Sequence, residues 1–216
     1  MAILFVFSLV LLLNSPNSCA AFDYFKFSLQ WPEAFCAKNG HPACNQMPNH
    51  FTIHGLWPEK TFGFQPHFCT HTKLKKKDIK NLKSDLKLEW PNLRGKKPFK
   101  FWSHEWEKHG TCSETVYKPH DYFSLALHIK KNHDVMSILS QAQIVPSQNT
   151  TYDGNSIVNA IHNSIHHYPE LACYTTQNVT YLWEVRLCLE PNGVSFKDCA
   201  NHFHNCHNQK DIHWHA

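Results

Sequence analysis

Residues 22–31 read FDYFKFSLQW, and their alternation of apolar and polar side chains decides the fold class. A period of two residues is typical of a β-strand with one buried face and one solvated face. The side chains predicted to share the buried face are Phe25, Phe27, Leu29 and Trp31. Those predicted to share the polar face are Lys26, Ser28 and Gln30. The sequence therefore predicts a half-buried strand here.

Outward from this strand, the pattern predicts further strands and several helices. Residues 51–57 (FTIHGLW) predict a short strand that Pro58 ends, and residues 180–190 (TYLWEVRLCLE) predict a longer one. Helices are predicted at residues 119–133, 134–145 and 155–168. Because strands and helices do not alternate regularly, we expect an α+β fold with helices packed on an antiparallel β-sheet. No linker divides the chain, so a single domain is expected over residues 22–216.

Length and composition exclude several classes of protein. The chain has 216 residues, 42% of them apolar, which is typical of one packed domain at ~150 residues per domain. Collagen, a disordered tail and a coiled coil are excluded.

Charge is concentrated in one segment. Residues 73–100 hold 11 of the 21 Lys and Arg against three acidic residues, so this segment carries +8 and the rest of the chain −4. Leu74, Ile79, Leu82 and Leu86 recur there at helical spacing. We expect a lysine-rich amphipathic helix that ends at Pro91. Such a basic surface attracts a polyanion, although a merely solvated helix face has the same composition.

The first 21 residues predict a secretory signal peptide. An apolar run from Ile3 to Leu13 is followed by small residues, and cleavage is expected near Ala20 or Ala21. The run is shorter than the ~20 residues that span a bilayer, and the alternative of an interfacial anchor is less favoured. No later run predicts a stable association with a membrane.

Eight cysteines remain once Cys19 is removed with the signal peptide. An even number in a secreted chain indicates four disulfides, among 105 possible connectivities. One pair follows locally, because a turn at Pro191-Asn192-Gly193 folds the strand at residues 180–190 back and places Cys188 opposite Cys199. Sequons at Asn149 and Asn178 predict N-glycosylation on the secretory route.

Two segments carry candidate chemistry. The first, FTIHGLWP at residues 51–58, places His54 in the middle of a strand, where a lone histidine is usually structural. The second, FWSHEWEKHGTC at residues 101–112, crowds four ionisable residues into six positions. On a helix, His104 and Lys108 form one i,i+4 pair and Glu105 and His109 another. These adjacent columns bring all four side chains toward one face, which Trp102 and Trp106 suit as lining of a cleft.

A zinc protease site is the first alternative for the second segment. That site needs His-Glu-x-x-His, whereas here the spacing is His-Glu-x-x-x-His. The extra residue turns the second histidine ~140° from the first, and an adjacent lysine repels a cation. We therefore predict no metal. A salt-bridged surface helix is the remaining structural alternative.

Cleavage of an RNA phosphodiester fits these residue types better. It needs a base for the 2′-hydroxyl, an acid for the departing 5′-oxygen and positive charge beside an anionic phosphorane. Two histidines supply acid and base, because their pKa lies near working pH. Lys108 supplies the fixed charge, and Glu105 orients a histidine or donates a proton if its pKa is raised.

FTIHGLWP and FWSHEWEKHGTC together resemble the two active-site segments of the ribonuclease T2 family, and the resemblance covers nearly the whole mature chain. It implies an α+β fold, no metal or other cofactor, and cleavage of single-stranded RNA through a 2′,3′-cyclic phosphate. It implies His109 as general base and His54 as general acid. Glu105 and Lys108 would stabilise the transition state, and His104 would bind phosphate. The disulfides that it implies are Cys36–Cys44, Cys69–Cys112, Cys173–Cys206 and Cys188–Cys199.

Base binding is predicted from the same resemblance. Gln30 matches a family position that contacts a base, and Trp57 is placed to stack on one. Plant relatives shape a base pocket at the positions of Asn92, Leu93 and Phe99. For each of the five, ordinary core or loop packing is the alternative.

Plant relatives divide into style ribonucleases of self-incompatibility and ribonucleases of phosphate scavenging, senescence or defence. The basic segment and the eight mature cysteines favour a self-incompatibility ribonuclease, secreted as a monomer into the style extracellular matrix. Pollen S-locus F-box proteins would then be partners besides RNA. The scavenging role is the alternative, and a catalytically silent secreted binding protein is a further one. The histidine-rich tail at residues 201–216 has no predicted family role.

Overall fold

The computed structural model describes residues 22–38, 44 and 47–216, so the predicted signal peptide lies outside the described residues. A mixed β-sheet forms the framework of this part of the chain. Its strands are β1 Tyr24–Gln30, β2 Thr52–Glu59, β3 Thr151–Tyr152, β4 Glu170–Thr176, β5 Val179–Leu189, β6 Phe196–Lys197, β7 Phe203–His204 and β8 Ile212–His213. The longer strands are antiparallel neighbours in the order β2-β1-β5-β4.

The α+β class and the antiparallel pairing of the main strands are confirmed, and two short strands add parallel pairs that make the sheet mixed. β7 pairs with β4 in parallel, and β8 pairs with β5 in parallel. Both are two-residue strands of the C-terminal segment, which carries too little alternation to predict a strand. The irregular order of strands and helices predicts antiparallel pairing in general and says nothing about the direction of these short pairs.

Helices pack against this sheet, with α4 on β2 and α6 on β4. The helices are α1 Pro32–Lys38, α2 Lys83–Glu89, α3 Pro98–Lys108, α4 Pro119–Asn132, α5 Val135–Gln141 and α6 Gly154–Ile165. The three helices predicted in the second half of the chain are confirmed as α4, α5 and α6. The carboxylates of Asp134 and Asp153 accept hydrogen bonds from backbone N–H groups in the first turns of α5 and α6, which fixes where these helices begin.

Strand β1 is buried on both faces, and the prediction of a half-buried strand is wrong. Its apolar face is buried as expected, but Ser28 and Gln30 on the polar face are buried too. β1 lies between β2 and β5, and charged side chains from its neighbours close over its polar face. Lys26 Nζ lies 3.3 Å from carboxylate oxygens of both Glu59 and Glu170. The period of two therefore predicts the strand correctly, but it does not show that the polar face is exposed to solvent.

Strand β2 runs through Pro58 instead of ending there. Pro58 lies opposite Phe25 in the β1–β2 ladder, and the strand continues to Glu59. β2 is an edge of the main sheet, where a residue without an N–H costs no ladder hydrogen bond when that side faces outward.

The lysine-rich segment forms one short helix, not the long helix predicted from its periodicity. Residues 76–82 are turns, and only residues 83–89 are helical as α2. Leu74, Ile79 and Leu86 are nevertheless buried as the pattern requires. Consecutive lysines repel one another along a helix, and the Asp78 carboxylate accepts a hydrogen bond from the Lys75 N–H, which stabilises a turn.

Aromatic side chains fill the core beside α3. Trp102 and Trp106 are fully buried, and their indole N–H groups donate to the backbone carbonyls of Trp90 (2.8 Å) and Thr72 (2.9 Å). Both anchor α3 to the core, and Trp102 also lines a cavity beside the lysine-rich segment. The helix that carries the second motif is thereby fixed in position.

All four disulfides expected from the family resemblance are present. They are Cys36–Cys44, Cys69–Cys112, Cys173–Cys206 and Cys188–Cys199. At the other end of the fold, Trp31 donates from its indole to the His215 carbonyl (2.7 Å), so the C-terminal segment is tied to the first strand. Within the described residues, no helix has both the length and the apolar character needed to cross a membrane.

Candidate active site

A β-bulge places His54 at the site. In the β1–β2 ladder, Leu29 lies opposite Ile53 and Ser28 opposite Gly55, so His54 is an extra residue without a partner. Bulges re-aim a side chain and are frequent next to active sites. The His54 Nδ1 atom lies 2.5 Å from Oε1 of Glu184 on β5, and its side chain keeps 26% exposure. The histidine is therefore held firmly and still reaches solvent.

The end of α3 supplies the second half of the site. The helix ends at Lys108, and the His109 backbone N–H closes it with a hydrogen bond to the Glu105 carbonyl (3.0 Å). The Glu105 side chain points inward and is only 5% exposed. His104 is exposed on the other side of the same turn, while Lys108 and His109 are half-buried. The structure therefore brings Glu105, Lys108 and His109 to the site and leaves His104 at its rim.

Trp57 joins the two segments. Its ring centroid lies 5.1 Å from that of His54 and 5.5 Å from that of His109, and its indole N–H donates to Glu105 Oε2 (3.3 Å). Gly55 leaves room for this indole: a Cβ at position 55 would lie 2.0 Å from Trp57 Nε1. The pattern His-Gly-Leu-Trp is thus a packing requirement as well as a motif.

The two histidines are biased toward opposite protonation states. Burial, followed by the charges of Lys108 and His54, lowers the pKa of His109 to about 3. Burial also acts to lower the pKa of His54, but the negative charge of Glu184 and its hydrogen bond outweigh this and raise the pKa above 6.5. His109 is therefore neutral near neutral pH, whereas His54 favours its charged form.

Glu105 is biased toward its protonated form. Burial raises the pKa of its carboxyl, although His54, the Trp57 N–H, His104 and Lys108 all act in the opposite direction. A protonated carboxyl donates a hydrogen bond, and an ionised one accepts. Next to Lys108, the site thus offers a donor and a fixed positive charge to an anionic group.

The predicted base-binding residues fall into two groups. Gln30 lies in the sheet opposite Thr52 and Glu184, is 2% exposed, and its side-chain oxygen has no hydrogen-bond partner among the described residues. Trp57 lies on β2 between the two site histidines, and the other three candidates lie on the loop before α3 or at its start. Asn92 braces that loop through its side chain, Leu93 is buried, and Phe99 is half-buried beside the core.

Sequence reasoning missed the ion pairs next to His54. Glu184 binds Arg186 through Nε (2.8 Å) and Nη2 (2.7 Å), and the second side of the Arg186 guanidinium binds Glu170. A signal was present, because Glu184 and Arg186 are polar neighbours on one face of an otherwise apolar strand. Their partner could not be identified without knowing that β5 lies next to β1.

Two other predicted features can be placed. Asn149 and Asn178 of the two sequons are both exposed. The tail histidines do not cluster: His202 stacks on Tyr168, and His215 Nδ1 lies 2.9 Å from Glu33 Oε1. Among residues 22–38, 44 and 47–216, no group of three or more His, Cys, Asp or Glu side chains is arranged to hold a metal ion.

Comparisons with known proteins agree with this geometry. The model of the Ribonuclease T2 family matches residues 22–199. Extracellular ribonuclease LE of Solanum lycopersicum is 36% identical over 191 residues, which cover 85% of this chain and 83% of that protein. Ribonuclease S-2 of Antirrhinum hispanicum is 36% identical over 193 residues, which cover 87% of this chain and 80% of that protein.

Solved structures show the same likeness in three dimensions. Ribonuclease MC1 from the seeds of bitter gourd is similar with a TM-score of 0.79 and 33% sequence identity, covering 86% of this chain and 97% of that one. The family match covers more than half of the chain and includes both motifs. The chain therefore belongs to the ribonuclease T2 family and is an endoribonuclease whose substrate is RNA.

Proposed function

We propose that this endoribonuclease cleaves single-stranded RNA without a metal ion, with His109 as general base and His54 as general acid. The observation that carries the proposal is the opposite bias of these two histidines on either side of Trp57. A histidine that acts as a base must be neutral before the reaction begins, and a histidine that acts as an acid must be charged. The roles implied by the family resemblance agree with the environments in which the chain places them.

The proposed reaction has two steps. His109 accepts the proton of a 2′-hydroxyl while the 2′-oxygen attacks phosphorus, and His54 gives its proton to the departing 5′-oxygen. This forms a 2′,3′-cyclic phosphate and breaks the phosphodiester bond. In the second step the roles reverse: water, deprotonated by His54, attacks phosphorus, and His109 protonates the 2′-oxygen to leave a 3′-phosphate.

The remaining residues of the second motif act on the phosphate. Lys108 places a fixed positive charge where the phosphorane becomes more negative. Electrostatic stabilisation of this kind is usually the largest single contribution to catalysis. Burial raises the pKa of Glu105, and in its protonated form this carboxyl donates a hydrogen bond to a non-bridging oxygen. His104 at the exposed rim binds an incoming phosphate.

The test uses short RNA, excess chelator and analysis of products over time. A 2′,3′-cyclic phosphate should appear first, then a 3′-phosphate, at a rate that the chelator does not change. His54→Ala and His109→Ala should each lower the rate by about 10²–10⁴-fold, as expected for loss of a general acid or base. His128→Ala, which alters an exposed histidine on α4, is the matched control. Full activity in either site variant would contradict the proposal.

For base binding we propose Gln30 and Trp57, with Asn92, Leu93 and Phe99 as the walls of a second base pocket. Gln30 supports this because a buried amide oxygen without a partner leaves a hydrogen bond to be made. Trp57 offers a half-buried ring for stacking. Gln30→Leu should change the relative rates on the sixteen dinucleotides and leave the pH profile unchanged; an unchanged preference would assign Gln30 to packing.

We further propose that the mature protein, residues 22–216, is secreted as a monomer, after removal of residues 1–21, and carries glycans at Asn149 and Asn178. Both asparagines are exposed, and four disulfides suit an oxidising compartment. Expression in plant cells, followed by N-terminal sequencing, glycosidase treatment and sedimentation, tests all three points.

As its biological role we propose self-incompatibility in the style, with pollen S-locus F-box proteins as partners. The basic segment supports this role, because most of its lysines are exposed and form a positively charged surface next to the second motif, where Lys73 pairs with Glu107. A role in phosphate scavenging, senescence or defence is the second candidate, since an extracellular ribonuclease is as similar to this chain as a ribonuclease named S-2. A silent binding protein is disfavoured because both site histidines, Glu105 and Lys108 are present. Style-restricted transcripts would support the first role, and induction in phosphate-starved leaves the second.

A further inference from the structure

Glu184 is hydrogen-bonded to His54 and is too deeply buried to contact a substrate itself. Its side chain is fully buried, and its Oε1 lies 2.5 Å from His54 Nδ1. It belongs to β5, whereas His54 belongs to the bulge of β2, so β1 lies between the two strands. A buried carboxylate at this distance from an imidazole orients the ring and determines which nitrogen carries a proton.

A second contact keeps Glu184 ionised although it is buried. Arg186 binds its other oxygen through Nε and Nη2, at 2.8 Å and 2.7 Å. Burial raises the pKa of this carboxyl, but the charges of His54 and Arg186 and their hydrogen bonds lower it to about 2. A buried charge is retained only when it is paired and hydrogen-bonded, and both oxygens of Glu184 meet this condition.

Building on the proposed function, we propose that Glu184 is a positioning residue that makes His54 the acid of the reaction. The Nδ1–H of His54 donates to Glu184, so the other ring nitrogen, Nε2, carries the proton given to the departing 5′-oxygen. The negative charge of Glu184 stabilises the imidazolium until that proton leaves. Arg186 binds the other carboxylate oxygen of Glu184 and is not hydrogen-bonded to the His54 imidazole.

Other charged groups near His54 do not supply the same contact. Glu105 on α3 acts on it through space and itself favours the neutral form. Arg186 on β5 opposes an imidazolium through its positive charge, and His109 at the end of α3 is neutral near neutral pH and supplies no negative charge. Lys38 on α1 places its Nζ 3.0 Å from the centroid of the Trp183 ring, and its charge interacts with that of Glu184. Glu184 is thus the ionised carboxylate hydrogen-bonded to His54.

The experiment compares Glu184→Gln with Glu170→Gln. Both carboxylates are buried and both bind Arg186, but Glu170 makes no hydrogen bond to His54. The readouts are the pH dependence of kcat/KM on a dinucleotide and the NMR titration of the His54 ring. In Glu184→Gln the alkaline limb and the His54 titration should move down by one pH unit or more. At pH 7 kcat should fall at least ~10-fold with KM nearly unchanged, as expected when an acid loses its charge.

Two further variants guard against loss of folding. Glu184→Asp keeps the charge and should restore most of the alkaline limb. Glu184→Gln combined with Arg186→Gln removes the guanidinium that the single variant leaves short of a partner, and should show the same shifted profile. Glu170→Gln should keep the profile of the unmodified protein.

The outcomes separate this inference from the function on which it rests. If His54→Ala is inactive and Glu184→Gln keeps the original profile and kcat, the positioning role is wrong and the reaction assignment stands. If Glu170→Gln shifts the profile as far as Glu184→Gln, the effect belongs to the ion network as a whole and the proposal is overturned. If His54→Ala is fully active, the proposed function itself fails.

Discussion

His54 and His109 are the same residue type, yet their surroundings prepare them for different tasks. His109 lies half-buried beside Lys108, and burial together with the charges of Lys108 and His54 disfavours its charged form. His54 has lost hydration too, but Glu184 touches its ring. The opposite shifts of the two histidine pKa values therefore trace largely to one carboxylate, Glu184, which faces His54 and not His109.

A pH profile should show this difference directly. The active form needs charged His54 and neutral His109, so kcat/KM should fall on the acid side as pH drops through the lowered pKa of His109, about 3. On the alkaline side it should fall as pH rises through the raised pKa of His54, above 6.5. Rates on a dinucleotide from pH 3 to pH 9 test this, with circular dichroism to exclude unfolding. An alkaline limb that begins below pH 6.5 in folded protein would contradict the raised pKa.

Gly55→Ala should damage the site more than the fold. Its Cβ would lie 2.0 Å from Trp57 Nε1 and 2.9 Å from Glu105 Oε2, so the indole must move and its hydrogen bond to Glu105 is lost. We expect kcat/KM to fall by about 10²-fold, the size of effect that a misplacement of about 1 Å produces.

Gly63→Ala is the control for Gly55→Ala. A Cβ there meets open space, but its φ of +87° strains any other residue. This variant should lose some stability and keep its activity, so the pair separates strain from steric damage at the site. Equal activity in both variants would show that Trp57 has room to move.

At the residue scale, sequence reasoning found the local group and missed the distant one. Glu105, Lys108 and His109 lie within five positions, and a helix alone brings them together. Glu184 is 130 positions from His54, so its role depends on strand order and on a bulge. An extra residue in one strand changes no periodicity that a sequence pattern would reveal.

At the scale of elements, the alternating pattern of residues 51–57 predicts β2, and α3 is the helix that the interpretation of the second motif assumed. The lysine-rich segment was not predictable, because its apolar spacing fits a helix and a series of turns equally well. Its buried residues were identified correctly, but turns replace the helix before α2. The spacing of apolar residues predicts which side chains are buried more reliably than it predicts the secondary structure of the backbone between them.

The lysine-rich segment should make RNA binding sensitive to salt. It surrounds a cavity of about 700 Å³ that is lined by Lys76, Lys77, Ile79, Lys80, Lys83, Lys97, Pro98, Phe99, Lys100 and Trp102. Each lysine that neutralises a phosphate contributes about 0.7 to the slope of log affinity against log salt for a single strand. Replacing Lys76, Lys80 and Lys83 by Gln should therefore reduce that slope by up to about 2.

The measurement is RNA affinity from 50 mM to 300 mM salt, using the inactive His109→Ala variant to prevent cleavage. Lys118→Gln with Lys131→Gln, two exposed lysines outside the segment, is the control and should leave the slope nearly unchanged. If the triple variant keeps the original slope, the segment does not bind RNA, and a protein partner becomes the better explanation for its charge.

At the scale of the whole molecule, the disulfides differ in how much chain they close. Cys69–Cys112 joins residues 43 positions apart, and Cys188–Cys199 joins residues 11 apart. Chain entropy gives about 4 kcal/mol for the first loop and about 3 kcal/mol for the second. Double Cys→Ala variants should lower the free energy of unfolding in that order, measured with denaturant.

Activity should distinguish the same two disulfides more sharply. Cys112 lies three positions after His109, and the backbone around the Cys69–Cys112 bridge is tied to Lys108 by a hydrogen bond from the Phe68 N–H. Loss of this bridge should lower kcat/KM in folded protein, whereas loss of Cys188–Cys199 should change stability alone. The reverse order of activity loss would contradict this account.

The whole-molecule fold was predictable in class and not in every pairing. The hairpin that joins Cys188 and Cys199 follows from a turn and two strands close in sequence. The parallel pairs of β7 with β4 and of β8 with β5 depend on the path of the C-terminal segment across the sheet. A strand of two residues is too short to show a periodicity from which that path could be predicted. Long-range contacts of weak local pattern are the part that sequence reasoning leaves out.

The packing of Trp31, Phe51 and Trp214 has a consequence for biosynthesis. Their rings lie 5.3–5.4 Å apart, so one end of the core combines early aromatic residues with a very late one. A nascent chain emerges in order from the ribosome, and the early rings stay uncovered until the last segment follows. Native pairing around β5 must likewise await synthesis of residues far beyond β1. This end of the core thus stays incomplete until Trp214 has been synthesised, and until then the exposed rings of Trp31 and Phe51 are a binding surface for chaperones.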